Sequence, residues 1–468
     1  MALERPIKRC LRYLCSEKPV SFNFLFKHLE YEEGGEDYPF GYVRWTEKRN
    51  FESILGLMAS GKLSMAPLVS KQFPFEQSVS AYQSLTDPSV LGILFFYGDR
   101  TAQAVDSTLL EFDPLAHKVD SEEKDGVVVA FIGAGNYVRR VLLPIFSKEN
   151  LRLDLLVTNG GVSGALAGKK HGFSRTSTDE EFIWRDKNIN VVVVASTHEA
   201  HATQVVKALK TKKHVFVEKP LALSLESLRS IETAMREAEE VADNEMPILM
   251  IGFNRRFCPH VVRMKELLTT VNDPMNIVIT VNAGMISQEH WIHNPNIGGG
   301  RLIGEGCHFI DLMRFLTGSS IESFSICSMI DSSQQFTRDE NFSLNLQFKD
   351  GSLGILNYFA NGEKSYPKEN IEVFCGGKIL LLENFRKLSG YGWPNFSKMR
   401  LWRQDKGQKN AVRAFLNAVV KKEAAPIPIS EILEVSRVAI LASKEIRSDS
   451  KLESPDYVNS MISVGDSI

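Results

Sequence analysis

The 468-residue sequence predicts a doubly wound parallel α/β domain, an α+β C-terminal domain built on a mainly antiparallel sheet, and a small α+β appendage at the N-terminus. Three observations lead there. Residues 126–258 alternate short, continuously apolar runs with helical stretches, the pattern of parallel strands covered on both faces. The first of these runs, "VVVAFIGAG", ends in Gly133 and Gly135 directly before a helical segment. From about Asn276 the strands are separated mostly by short turns, which favours antiparallel pairing.

The elements follow in order. Within residues 1–98, the appendage, "NFESILGLMASGKL" sets Phe51, Ile54, Leu55 and Met58 at helical spacing and closes on Gly61. A second helix, "PFEQSVSAYQSL", and a strand, "VLGILFFYG", complete that unit. Residues 99–125 are polar and pattern-free and read as a linker. The α/β domain, 126–258, carries the strands "VVVAFIGAG", "RLDLLVTN", "INVVVVAST", "HVFVEK" and "PILMIGFN". In the C-terminal domain, 259–468, the strands are "NIVITVNAG", "SFSICSMI", "NFSLNLQF", "GSLGILNYF" and "IEVFCGG". A long helical stretch, "RLIGEGCHFIDLMRFL", is inserted early, and helices are expected near 408–420 and 430–446.

Composition excludes several classes of function. Hydrophobic residues make up 43% and charged residues 24%, an ordinary globular mixture. A net charge of −2 supplies no basic field for a phosphate backbone, so nucleic acid is not an expected partner. No apolar run reaches the roughly 18 residues of a membrane span, and the N-terminus lacks the apolar core of a signal peptide. A cytoplasmic location is therefore expected. Cys10, Cys15, Cys258, Cys307, Cys327 and Cys375 are scattered, with no two pairs at zinc-site spacing, so reduced thiols and no metal are expected.

The stretch "FIGAGNYVRRVLLPIF" has the layout of a dinucleotide fingerprint. Gly133 makes the tight turn, Gly135 lets backbone approach a pyrophosphate, and Asn136 and Tyr137 open a helix whose amides and dipole favour phosphate. The third position is Val138 rather than Gly or Ala. A bound NAD or NADP is expected. Asp154 sits inside its strand, whereas the ribose-sensing position lies at that strand's end, at Thr158 and Asn159. Neither a carboxylate for the 2′-hydroxyl nor an arginine for a 2′-phosphate stands there, so both dinucleotides stay open. Ser196, Thr197, His198 and His201 reach the carboxyl edge of the sheet, where ligands bind, although Ser196 or Thr197 could equally cap the next helix. "HVFVEKPLAL" ends a strand in Glu218, Lys219 and Pro220. A lone lysine is ordinarily solvated, and only its place behind the fingerprint makes Lys219 a site residue. The sequence leaves both isomers open for the bond before Pro220.

"VEKPLAL", together with "GAGNY", "ASTHEAHA" and "GGGRLIGEGCHFIDL", resembles the Gfo/Idh/MocA oxidoreductase family from about Val127 to the C-terminus. The resemblance implies a Rossmann lobe and a sheet lobe enclosing NAD(P), with a sugar, cyclitol or nucleotide sugar as small-molecule substrate and surface polysaccharide metabolism as one setting. Oxidising a secondary alcohol needs a proton acceptor and a donor for the developing alkoxide. The matching positions are His308 and Lys219, with Glu218 orienting Lys219 or binding the cofactor amide. Where the family places an Asp four residues before the histidine, this chain has Gly304; Glu305 and Asp311 share a helical face with His308 and are candidate replacements.

Arg255 and Arg256 of "FNRRFCPH", with His290 and Trp291 of "ISQEHWIHNPNIGGG", are candidate substrate contacts suited to an acidic or phosphorylated sugar. The open face of the C-terminal sheet invites pairing into a homodimer or homotetramer. The segment from "EDYPFGY" to "SAYQSL" resembles the tail of a zinc-type medium-chain alcohol dehydrogenase without that module's zinc ligands or Rossmann fold, so neither zinc nor a second cofactor is implied. Gly304, Val138 and the shortened module leave two other functions open: a catalytically weak dinucleotide-binding sensor or assembly protein, and a lyase or hydrolase that uses NAD transiently.

Overall fold

Two units divide the chain, residues 1–106 and 107–468. The computed structural model describes residues 37, 43–97, 108–112, 126–240, 246–329 and 338–448, so Cys10, Cys15 and most of the expected linker lie outside the described residues. In the first unit the Thr46 hydroxyl accepts the Arg49 N–H and caps α1 (Glu47–Ala59). β1 (Lys71–Pro74) and β2 (Ile93–Phe96) pair in parallel across the connection that holds α2 (Ser78–Gln83). α1 buries none of its residues, so Phe51, Ile54, Leu55 and Met58 form an exposed apolar side.

The second unit opens with β3 (Leu109–Glu111), followed by the strands β4 (Val128–Ile132), β5 (Arg152–Val157), β6 (Arg175–Ser177), β7 (Val191–Val194), β8 (His214–Val217) and β9 (Leu249–Ile251). β4 to β9 are parallel and stand in the order β6-β5-β4-β7-β8-β9, the 3-2-1-4-5-6 order of a Rossmann sheet. The four valines of β7 are all buried, as a central strand covered on both faces requires. Between the strands run α3 (Leu143–Phe146), α4 (Gly161–His171), α5 (Glu181–Arg185), α6 (His198–Lys210) and α7 (Leu225–Glu240). A π-helical turn, Val138–Leu142, leads into α3, whose Pro144 has no N–H to continue an ordinary ladder. Part of the expected linker is structured: β3 pairs antiparallel with β6, which would otherwise leave an open edge. Phe112 then lies over Gly168, where a Cβ would come within 2.9 Å of the ring.

The C-terminal lobe begins with α8 (Pro259–Leu268) and β10 (Met275–Asn282), continues through a π-helical turn, Leu302–Gly306, into α9 (Cys307–Thr317), and then forms most of its sheet. Its later strands are β11 (Ile321–Ser328), β12 (Asn341–Phe348), β13 (Leu353–Phe359), β14 (Glu369–Cys375), β15 (Lys378–Glu383), β16 (Lys387–Tyr391) and β17 (Lys398–Arg400). The order is β11-β12-β13-β10-β14-β15-β16-β17, antiparallel except for the β10–β13 pair. The final helices are α10 (Gln408–Lys421) and α11 (Ile429–Ser448). α10 packs back on the Rossmann lobe, with the Phe415 ring 5.6 Å from Phe216. Among the described residues no helix is long and apolar enough to cross a membrane.

A buried ion-pair chain ties the C-terminal lobe to the end of β9. Arg256 donates to both Asp311 oxygens at 3.1 and 2.5 Å and to Glu431 at 2.8 Å, while Arg314 reaches Glu434 at 2.8 Å. Removing one member of a buried pair leaves a charge stranded away from water and costs about 3–5 kcal/mol. Asp311→Ala is therefore expected to lower the unfolding free energy from urea titration by that amount. Arg263→Ala, which removes an exposed pair with Glu266, is expected to cost less than about 1 kcal/mol. Equal shifts in the two variants would contradict the buried network's role.

Candidate active site

The sequence-predicted cofactor residues stand in the segments that follow β4, β5, β7 and β8 at the carboxyl edge of the Rossmann sheet. Gly133 has φ +100°, and a Cβ there would lie 2.2 Å from the Ala195 carbonyl oxygen, so only glycine lets the chain turn this close to the end of β7. Gly135 faces open space. Thr197 occupies the N-cap of α6, but its side chain makes no capping bond, and Ser196 Oγ donates to Gln204 at 2.6 Å instead. First-turn amides of α6 are thus left for a ligand. Asn159 is exposed at the end of β5, while Asp154 is buried between Arg152 and Arg175. A glycine turn with free space beside it and an uncapped helix start fits a dinucleotide pyrophosphate.

At the end of β8 the Lys219–Pro220 bond is cis. Lys219 Nζ donates to the Gly304 carbonyl at 2.7 Å, crossing from the Rossmann sheet to the π-helical turn that leads into α9 and His308. His308 is buried, and its Nδ1 has no hydrogen-bond partner. Burial, then the charges of Arg255, Lys219, Lys406 and Lys368, hold His308 well below the usual imidazole range, so the ring is neutral and keeps a lone pair. Behind Lys219, Glu218 is buried against Gly252, where a Cβ would come 2.9 Å from the carboxylate. Burial pushes Glu218 up to about 7, although Lys219 and Tyr137 pull the other way.

The volume that a side chain at position 304 would need is lined by two neighbours. A Cβ on Gly304 would stand 3.0 Å from Ile292 Cδ1 and 3.6 Å from His198 Cε1. His198 Nδ1 bonds the Gly298 carbonyl at 2.8 Å; a carbonyl only accepts, so Nδ1 carries the proton and Nε2 the lone pair. Burial lowers His198 to about 3. Trp291 meets the His198 ring edge-on at 4.8 Å, and His290 accepts the Ile292 N–H at 3.3 Å while lying 5.6 Å from the Trp291 ring.

Several expectations are corrected by these contacts. His201 is buried and neutral, and its single N–H donates from Nδ1 to the Pro220 carbonyl at 2.7 Å, so it braces the turn after β8. Arg256 and Asp311 neutralise each other, which withdraws Arg256 from a substrate and Asp311 from His308. Glu305 likewise does not partner His308. It accepts from Tyr358 Oη at 2.6 Å and Lys368 Nζ at 2.8 Å, and against the upward push of burial these hold it at about 2. A shared helical face permits contact, but buried cations decide which carboxylate goes where. Arg255 donates to Glu369 at 2.6 Å and stacks 4.6 Å over Phe309, yet its Nε has no partner.

Sequence reasoning missed Tyr358, Lys368, Glu369 and Lys406. For Glu369 a signal existed: Glu369, Ile371, Val373 and Cys375 alternate inward on β14, which places a carboxylate on a core face. Lys406 gave none. It pairs with Glu369 at 2.5 Å because Asn254 Nδ2 donates to its carbonyl at 2.6 Å across 152 residues of sequence. Among the described residues no group of three or more His, Cys, Asp or Glu side chains is placed to hold a metal ion.

Comparison with known proteins agrees with this architecture. Residues 127–244 match the family described as "Oxidoreductase family, NAD-binding Rossmann fold", and residues 270–378 match the "GFO/IDH/MocA C-terminal domain". Both are models of the Gfo/Idh/MocA oxidoreductase family, and together the two matches span just under half of the chain. It is 27% identical over 224 residues to a myo-inositol 2-dehydrogenase of Thermotoga maritima, covering 47% of this chain and 64% of that protein. A scyllo-inositol 2-dehydrogenase (NAD(+)) of Bacillus subtilis is 28% identical over 157 residues, 33% of this chain and 43% of that one. The chain thus spans less than two thirds of the length of either relative. A solved levoglucosan dehydrogenase in complex with NADH and levoglucosan shares the fold at TM-score 0.59 and 18% identity, over 68% of this chain and 98% of its own.

The raised Glu218 carboxyl has a consequence for stability. The folded chain holds that proton between pH 4.5 and about 7 more strongly than the unfolded chain does, so stability falls as pH rises through this window. Glu218→Gln removes the penalty. The variant is expected to match the parent near pH 4.5 and to exceed it at pH 8, by up to about 3 kcal/mol. Urea midpoints at the two pH values test this, and an unchanged difference across them would contradict it.

Proposed function

We propose that the chain is an NAD(P)-dependent dehydrogenase acting on a secondary alcohol of a sugar, cyclitol or nucleotide sugar. One observation carries the reading: Lys219, from the carboxyl edge of the dinucleotide sheet, meets the turn that leads into His308, so a donor and a neutral imidazole from two lobes converge on one space. Gly133, Gly135, Asn136, Tyr137, Asn159, Ser196, Thr197 and Glu218 would hold the cofactor, which supplies a hydride acceptor or donor at its nicotinamide. Two inositol dehydrogenases among the relatives support the substrate class.

In oxidation, the His308 lone pair takes the hydroxyl proton while Lys219 releases Gly304 and donates to the oxygen as it gains charge. Glu218 keeps Lys219 in place from behind, and Trp291 offers an aromatic wall to the sugar ring. The exposed Leu353, Phe359 and Phe374 on the C-terminal sheet support the proposed homodimer or homotetramer. The parallel β1–β2 pair around α2 supports the proposed kinship of the first unit with an alcohol dehydrogenase tail.

A second reading, dinucleotide binding without turnover, has Gly304 in its favour, because Ile292 and His198 line the volume of the family's carboxylate. Mutation separates the two. Lys219→Met and His308→Asn are each expected to lower kcat/KM on a responsive sugar by about 10²–10⁴-fold. NADH affinity, measured by fluorescence titration, is expected to change by only a few-fold. Nucleotide binding with no turnover on any sugar, unaltered in both variants, would favour the second reading.

A further inference from the structure

We propose that the site takes a sugar or cyclitol bearing an oxyanion, a carboxylate or a phosphate, and that Arg255, Lys368 and Lys406 receive that group beside His308. This rests on the dehydrogenase reading and narrows its substrate class. The charges acting on His308 come from separate elements: Lys219 after β8, Arg255 after β9, Lys368 before β14 and Lys406 before α10. Carboxylates among them are fewer. Glu369 is shared by Arg255 at 2.6 Å and Lys406 at 2.5 Å, and Glu305 holds Lys368 at 2.8 Å. The remaining acid, Glu218, sits behind Lys219, and burial leaves it only partly charged near neutrality.

The polar atoms left over point the same way. Arg255 Nε and His308 Nδ1 are both buried without a partner, on side chains that are more than nine-tenths buried. The buried Nε–H of Arg255 lacks an acceptor, which is costly, and the pairing acids already have their cations. Neutral hydroxyls could occupy these atoms but would leave the excess positive charge uncompensated. An oxyanion answers both needs, and its charge-assisted bonds are the stronger kind. It also weakens the field that depresses His308, so the bound substrate itself would make the imidazole a better proton acceptor. Arg256, held by Asp311 and Glu431, has no share in this.

The test is isothermal titration of the full chain, in the presence of NADH, with D-glucuronate, D-glucose 6-phosphate, D-glucose and myo-inositol, alongside NAD and NADP reduction assays on the same compounds. One of the two anionic compounds is expected to bind at least about tenfold more tightly than D-glucose. Which of them does so identifies the oxyanion. That ratio is expected to fall towards one in Lys406→Met and to recover in Lys406→Arg, with Lys368→Met as a second variant should Lys406→Met fail to fold. Equal or tighter binding of D-glucose or myo-inositol, or a ratio unmoved by the lysine variants, overturns the inference. Reduction assays keep the two ideas apart. Turnover that favours neutral sugars overturns the oxyanion site alone, whereas lysine-dependent anion binding without any turnover overturns the dehydrogenase reading and supports the site.

Discussion

The hydrogen bond from Lys219 to the Gly304 carbonyl is the contact on which the candidate site depends. It brings the carboxyl edge of a parallel sheet, where strand ends collect ligand-binding groups, against a turn of the second lobe that carries a buried imidazole. The surroundings serve that placement. His201 fixes the Pro220 carbonyl, Glu218 lies behind the lysine in a space kept open by Gly252, and the Arg256–Asp311 pair anchors the start of α9 to the end of β9. Both π-helical turns, Val138–Leu142 and Leu302–Gly306, fall where the two lobes present their functional segments, in keeping with the tendency of such turns to occur at functional sites.

Part of this organisation works against stability. Glu218 is a carboxylate in a place that favours its neutral form, and His308 is an imidazole without a partner for its inner nitrogen. A chain selected for stability alone would fill both positions with apolar groups. An unpartnered imidazole nitrogen and a carboxyl raised by burial are consistent with a site arranged around a ligand. The surrounding structure offsets their cost through a large continuous core that joins the Rossmann strands to the antiparallel sheet.

The fold was legible in the sequence because its signals are local. Continuous apolar runs marked the parallel strands, a glycine turn marked the first of them, and Lys219 stood out by position behind that turn. Less legible was the pairing of charges. Glu305, Asp311, Arg255 and Arg256 were visible as ionisable residues near the right helix and strand, but which carboxylate meets which cation depends on burial and on distant chain segments. Lys406 enters only because a loop from the end of the sheet packs on Asn254. Glu369 could have been read from the alternation of β14, and β3 was hidden because three residues of an edge strand carry too little pattern to stand out from a polar linker.

The most direct measurement of the central claim is a crystal structure with NADH and a bound substrate analogue. The nicotinamide ring is expected between Lys219 and His308, with the analogue's hydroxyl in hydrogen-bond range of both and Lys219 withdrawn from Gly304. A dinucleotide held at the glycine turn while its nicotinamide lies elsewhere, with the Lys219–Gly304 bond intact and His308 still enclosed, would contradict it.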